Sequence, residues 1–256
     1  MSVEMADNGE IRSFFTKEQI KKMKIQKFLN PDVLVIDNFF GSNLSEEMFN
    51  DILLHQEFFI PSSLGSGDNG NSTNYFMPVD LTKNYVTKKF SPVKYGQQIQ
   101  HDVFIRDLLL TCGIPSFNDF YKTNKMEIQI NRYGHSESKF SSKRKKIGAL
   151  YKDQSHDWHI DMISSDPMRR EFTLSYYVFS TPKKFKGGDV VFSSAPFADN
   201  DLVQTQNDIN QLTIEVKNDR AIIFSNTVPH KINPTESPEN FEDGRFSIQF
   251  WLGRDG

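Results

Sequence analysis

The alternation of apolar and polar positions is clearest in the second half of the chain. From Met126 to Tyr133 the sequence reads Met-Glu-Ile-Gln-Ile-Asn-Arg-Tyr. On a strand this places Met126, Ile128 and Ile130 on one face and Glu127, Gln129, Asn131 and Tyr133 on the other, a face suited to lining a polar cavity. Gly244 to Leu252 repeats the pattern, with Phe246, Ile248, Phe250 and Leu252 opposite Arg245, Ser247, Gln249 and Trp251. Between them, short runs predict strands at Glu171 to Phe179 and Val190 to Phe192, with a turn at Lys186-Gly187-Gly188-Asp189. Leu212 to Val216 and Ala221 to Phe224 flank Asn218-Asp219 and predict a hairpin. Many short antiparallel strands in succession predict a mostly β fold with flanking helices and a double-stranded β-helix, or jelly-roll, core.

Upstream, the periodicity is helical. Thr16 to Leu29 is Lys-rich and predicts a helix with a solvated basic face. A strand follows over Asp32 to Phe40. Asn43-x-x-Glu46 has the form of a capping box, with Leu44, Met48, Ile52 and Leu53 at helical spacing behind it. Ser91-Pro92 opens a second helix that runs to Gly113, with Ile99, Val103 and Leu110 as core. The predicted organisation is a helical extension over residues 1–30 and one jelly-roll domain over 31–256 with N-terminal support helices. Pro61 to Thr73, rich in Gly, Ser and Asn, reads as a mobile loop. A polar insert spans residues 134–155 and carries Lys143-Arg144-Lys145-Lys146. It reads either as a solvated loop or as a lid whose positive field draws in an acidic substrate.

Composition narrows the function classes. With 256 residues, 37% of them hydrophobic and 23 of them Phe, the chain can bury one sizeable core. A net charge of −3 and a pI near 6.1 lack the basic excess of a nucleic-acid binder. Cys112, the single cysteine, forbids an internal disulfide or a cysteine-based metal cluster and reads as a small buried hydrophobe. The polar, acidic start has no signal-peptide pattern, and no apolar run approaches the roughly 20 residues of a membrane span. A cytoplasmic, reducing setting is expected; the number of subunits is not legible.

The candidate chemistry centres on His159-Ile160-Asp161. Two positions apart on a strand, the imidazole and the carboxylate converge on one point. Val228-Pro229-His230 supplies a second histidine downstream. Two histidines and one carboxylate make a facial triad for Fe(II), with the opposite coordination positions left open. His156 lies three residues before His159, a spacing that alternation sends to the other face, so it is expected to be an exposed loop histidine. Trp158 and His135 border the motif in sequence only.

The order H-x-D, G-G-D-V, a distal P-H and then G-R-F-S-I-Q-F-W resembles the Fe(II)- and 2-oxoglutarate-dependent dioxygenases, most closely their prolyl-4-hydroxylase-like branch, over roughly Met126 to Leu252. The resemblance implies that His159, Asp161 and His230 hold Fe(II) and that Arg245 grips the far carboxylate of 2-oxoglutarate. It implies that Tyr133 and Tyr177 hydrogen-bond this cosubstrate, that Thr173 and Ser247 share their face, and that Trp251 packs near the site. O2 is then the oxidant, succinate and CO2 are released, and an unactivated C–H bond is hydroxylated, desaturated or closed into a ring. An intact carboxylate at Asp161 argues against halogenation, since the related halogenases carry a small residue there. Nucleic-acid demethylases of the superfamily carry Asn two residues after the arginine, where Ser247 stands, and Arg254 is out of step with their second arginine. The expected substrate is therefore an amino acid or an amino-acid-derived, acidic small molecule. A protein or peptide hydroxylase and a non-catalytic jelly-roll binding module are the alternatives.

Overall fold

The C-terminal alternation is realised at the centre of a large sheet. In the computed structural model, which describes residues 13–61, 75–79, 90–134, 154–162, 168–195, 210–237 and 240–255, β5 (Lys125–Tyr133) and β7 (Met168–Val178) pair antiparallel with the two sides of β13 (Arg245–Asp255). Around them the chain forms α1 (Lys17–Lys22), β1 (Lys24–Leu29), β2 (Asp32–Asp37), α2 (Ser42–Leu54), β3 (Ile60–Pro61), β4 (Tyr75–Val79), α3 (Ser91–Gln100) and α4 (Val103–Thr111). The remaining strands are β6 (Gln154–His159), β8 (Lys186–Gly187), β9 (Val190–Phe192), β10 (Leu212–Ile214), β11 (Arg220–Ser225) and β12 (His230–Glu236). The major sheet has the order β1-β2-β11-β7-β13-β5-β4-β3, and the minor sheet β10-β9-β12-β6, with β8 also paired to β12. The architecture is the expected jelly roll with flanking helices.

The centre of the major sheet is buried on both faces, whereas its edge strand β1 is largely exposed. Leu34, Ile36, Ile223, Phe246, Ile248, Phe250 and Leu252 point to the helices and pack with Met48, Ile52, Ile99 and Leu109. On the opposite face Val33, Val35, Ile222 and Phe224 meet Val190, Phe192 and Ile214 of the minor sheet. Strands β2 and β11 are thus apolar on both faces, as two-sided burial requires. Strands β5, β7 and β13 keep the apolar alternation only toward the helices. Cys112 is buried, as expected, with its thiol donating to the Leu109 carbonyl. No described helix is long and apolar enough to cross a membrane.

Five sequence expectations need correction, the simplest being Leu110, read as core but 39% exposed on α4. The helix predicted for Thr16 to Leu29 is only α1, closed at its start by a capping box between Thr16 and Gln19; Lys24–Leu29 pairs instead with β2, so tertiary pairing overrides helical propensity. The box predicted at Asn43 does not form, because α2 already includes that residue and starts after Gly41 without a side-chain cap. The helix from Ser91 breaks at Asp102, whose carboxylate accepts from Ile105 N–H and also from Ser13 Oγ and Phe14 N–H, starting α4 afresh. The predicted hairpin is a corner: β10 belongs to the minor sheet and β11 to the major, and the chain crosses between them at Asn218-Asp219. Of the two polar stretches, residues 62–73 and 135–153, including the basic run and His135, lie outside the described residues.

That corner also organises the helical layer. Asp219 takes a left-handed φ of 60°, and its carboxylate accepts from Phe40 N–H and Gly41 N–H at 2.8 Å and from Tyr176 Oη–H at 3.0 Å. A residue 178 positions away thus supplies acceptors at the entry to α2. Replacing Asp219 by Ala strands buried donors, and we expect a loss of roughly 2–3 kcal/mol in urea unfolding. A loss below about 0.5 kcal/mol would show that water serves those donors equally well.

Candidate metal and cosubstrate site

The inner faces of β5, β7 and β13 form a graded polar surface. Reading the register across them, Arg245 pairs with Tyr133; Ser247 with Asn131 and Tyr177; Gln249 with Gln129 and Ser175; and Trp251 with Glu127 and Thr173. Facing this surface, the minor sheet places His159 of β6 directly opposite His230 of β12. Asp161 follows β6, its N–H donating to the carbonyl of Asn226.

His159, Asp161 and His230 converge with ligand atoms all within 4.8 Å of one another. His159 Nε2 lies 3.7 Å from Asp161 Oδ1, and His230 Nε2 lies 3.8 Å from Asp161 Oδ2. Imidazole nitrogens and a carboxylate oxygen at such separations suit one divalent cation bound at about 2 Å from each. The surroundings fix the set. His230 Nδ1 lies 3.1 Å from the carbonyl of Val228, which leaves Nε2 for the metal, and the ring packs edge-on against Phe224. Thr173 Oγ1 donates to Asp161 Oδ2 at 2.6 Å. Burial alone would raise the Asp161 carboxyl, but His230, His159, the Thr173 hydroxyl and the Trp251 indole together hold it below the ordinary carboxylate range. It is thereby kept ionised and ready to ligate. The Trp251 indole N–H is directed at this carboxylate without reaching strict hydrogen-bond geometry, and the Arg170 guanidinium lies 4.1 Å from the centre of its ring.

On the same inward face of β13 as Trp251 lies Arg245, fully buried, with Nε, Nη1 and Nη2 all lacking a hydrogen-bond partner among the described residues. Its guanidinium carbon is 4.8 Å from the Tyr133 ring centre and 4.9 Å from that of Tyr177. Burial pushes both phenols up, against the nearby Arg245, so they remain neutral donors. The hydroxyls of Thr235 and Ser247 are likewise buried and unpartnered among the described residues. A buried cation with unused donors beside orphan hydroxyls is costly unless an anion completes it. A carboxylate matches the guanidinium fork. The G-G-D turn has its reason here. Gly188 has φ 76°, and a Cβ on it would meet Arg245 Cδ at 2.6 Å and Thr235 Oγ1 at 2.8 Å. Asp189 holds the turn by accepting from Val216 N–H.

All nine expected site residues therefore lie on this surface or at the triad, though Thr173 contacts the metal-binding carboxylate rather than Arg245. The expectation for His156 is corrected. It lies within β6, half-buried, with its ring stacked on His159 at 3.7 Å and 13°. The cause is a register shift: His230 pairs with His159 and Ile232 with His156, so β6 spends three residues where β12 spends two. Burial first, then His159 and His230, hold its imidazole well below the usual pKa and therefore neutral. Sequence reading also missed Asn226, Thr235 and Gln249, whose Oε1 accepts from Ser175 Oγ at 2.5 Å. The inward alternation of β13 was the available signal for Gln249. Trp158 is buried beneath Lys231, whose Nζ is 4.9 Å from its ring centre, and Arg254 pairs with Glu171 at 2.7 Å.

A protein-family model described as the 2OG-Fe(II) oxygenase superfamily matches residues 148–253, a span that holds the triad and Arg245. No curated protein matches the chain by sequence. Among solved structures, a Pseudomonas putida prolyl-4-hydroxylase is similar with a TM-score of 0.53 at 12% identity, covering 93% of this chain and 96% of that one. A Phytophthora capsici prolyl 4-hydroxylase gives 0.50 at 15% identity, covering 93% and 62%. The epimerase SnoN, solved with Fe3+, alpha ketoglutarate and nogalamycin RO, gives 0.54 at 8% identity, covering 88% and 80%. At these identities the likeness is one of fold, and the family match joins it to the metal and carboxylate sites built above. The chain is thus similar to the 2OG-Fe(II) oxygenase superfamily over the segment that carries the triad and Arg245, and the His159, Asp161 and His230 set is one that could hold a metal ion.

Proposed function

We propose that the protein oxidises an unactivated C–H bond of an amino acid or amino-acid-derived small molecule, an acidic one by preference, in the cytoplasm. The observation that carries the oxygenase site is the pairing of the His159–Asp161–His230 set with a buried, unpartnered Arg245 on one surface. Fe(II) held by the triad supplies the activation of O2, with 2-oxoglutarate converted to succinate and CO2. The protein's own contribution is placement. His159, Asp161 and His230 hold one side of the metal, and Thr173 keeps the Asp161 carboxylate turned toward it. Arg245, Tyr133 and Tyr177 receive the far carboxylate of the cosubstrate in a dry site, where a charge-assisted contact is strong. Phe192 and Phe224 close the space beside His230, limiting access of water to the reacting atoms.

The small-molecule reading is supported by the likeness to SnoN, whose structure was determined with nogalamycin RO. The acidic preference rests on the basic run at residues 143–146. Hydroxylation is the expected outcome, with ring closure or desaturation as variants of the same chemistry.

Succinate release by anaerobically iron-loaded protein, given 2-oxoglutarate and O2, is expected to rise with one class in a panel of amino acids and acidic metabolites and to vanish in His159→Ala. Stimulation by prolyl peptides alone would replace the small-molecule reading with a peptide hydroxylase. No succinate with any addition, despite bound iron, would favour a binding module.

Arg245→Gln should weaken 2-oxoglutarate binding by roughly 30-fold or more, read as Kd by calorimetry on the metal-loaded protein, because the far carboxylate loses its buried charge partner. Arg245→Lys should recover only part, having no fork. Wild-type affinity in Arg245→Gln would move the carboxylate site elsewhere. Thr173→Val keeps the shape and removes the donor to Asp161; metal affinity should fall by about tenfold, and an unchanged Kd would make that hydrogen bond incidental.

A further inference from the structure

His156 is a side chain that neither the iron ligands nor the carboxylate pocket employs. It reaches the centre through the extra residue in β6: a regular ladder would send a residue three positions from His159 to the opposite face, and the shift between the His230 and Ile232 pairings returns it to the same one. There its ring lies nearly parallel to that of His159, with centroids 3.7 Å apart. The ring of His230 also approaches His159, at 4.1 Å and 54°. His159 is thus packed by two rings.

We propose that His156 is a positioning residue for the metal centre, acting through the flat face of its ring on His159 and not through its nitrogens. This rests on the reading of His159 as an iron ligand. A ligating imidazole must point the in-plane lone pair of Nε2 at the metal, so rotation about the Cβ–Cγ bond takes the lone pair off target. For His230 the approach of Nδ1 to the Val228 carbonyl opposes that rotation. For His159 the ring contacts oppose it, because turning the ring drives its edges into His156 and His230. Orienting the ring before the metal arrives removes a loss of freedom that binding would otherwise incur. Retention of a bulge that interrupts the ladder fits a strand shaped to deliver this stacked ring.

The test uses the full chain and Co(II) as the probe, with the dissociation constant and the d–d absorption bands as readouts. His156→Ala is expected to weaken Co(II) binding by about tenfold or more and to alter the bands, while His156→Phe, which keeps a flat face and has no ring nitrogen, stays within about twofold of the wild type. Should His156→Ala lower the melting temperature, His156→Leu fills the volume without a flat ring and is expected to weaken binding in the same way. Wild-type affinity in both His156→Ala and His156→Leu would overturn the proposal. So would a His156→Phe protein as weak as His156→Ala, since the nitrogens would then be what matters. A wild-type chain that takes up no Co(II) would overturn the metal-site reading itself, and this proposal with it.

Discussion

A sheet buried on both faces at its centre has no solvent side there on which to discard polar groups, and that constraint shapes this molecule. Its outer face is mainly apolar and carries the helices, with Arg132 the buried charge among those side chains. Its inner face is apolar only along β2 and β11, where the minor sheet wedges against it. On β7, β13 and β5 the inward positions are instead Thr173, Ser175, Tyr177, Arg245, Ser247, Gln249, Asn131 and Tyr133. Packing such a surface against Val190 or Phe192 would strand each of those groups. The two sheets can close on the apolar half alone, and the polar half carries the guanidinium and the hydroxyl that reaches Asp161.

Because alternation decides the face, the parts of the site that lie on regular strands were legible. Arg245, Ser247 and Trp251 on β13, Tyr133 on β5 and Tyr177 on β7 all point where period-two counting sends them, and the helical-face residues of β13 do the same. His159 and Asp161 converge as expected, although β6 ends at His159 and Asp161 lies just beyond the strand whose alternation was to align them. What escaped the sequence are the places where the count is broken or where the partner is remote. The bulge in β6 adds one residue, and every inference drawn from parity upstream of it inverts; His156 is the casualty. No local pattern reveals that Asp219 serves Gly41, or that Asp102 ends one helix by starting another, since each carboxylate is claimed by backbone groups far along the chain. The supposed hairpin failed for a related reason. Turn residues between two apolar runs report a change of direction, and a corner between sheets needs the same change as a hairpin within one.

The polar half is not uniformly satisfied, and the distribution of unmet hydrogen bonds is informative. Near the triad the groups answer one another: Thr173 serves Asp161, Ser175 serves Gln249 and Gln129 serves Asn131. At the Arg245 end the donors outnumber the acceptors, with Thr235 and Ser247 joining the guanidinium among the orphans. The Asp161 end is therefore largely answered by the protein's own groups, whereas the Arg245 end keeps donors that an anionic oxygen would satisfy. The left-handed Gly188 belongs to this second end, where any side chain would occupy the space between Arg245 and Thr235.

The two imidazoles of the triad belong to the minor sheet, while the carboxylate between them is moored to the major sheet through Thr173 and, by its backbone, to the turn after β11. The coordination sphere consequently spans the gap between the sheets, and its dimensions are set by how far apart the sheets stand. That gap is propped by Phe192 and Phe224, which touch each other and His230. A metal ion held by this set would therefore be sensitive to sheet separation. A change of a single methylene in this wedge would be registered as altered ligand-field strength at a metal it never touches, which makes core packing and redox chemistry two readings of one distance.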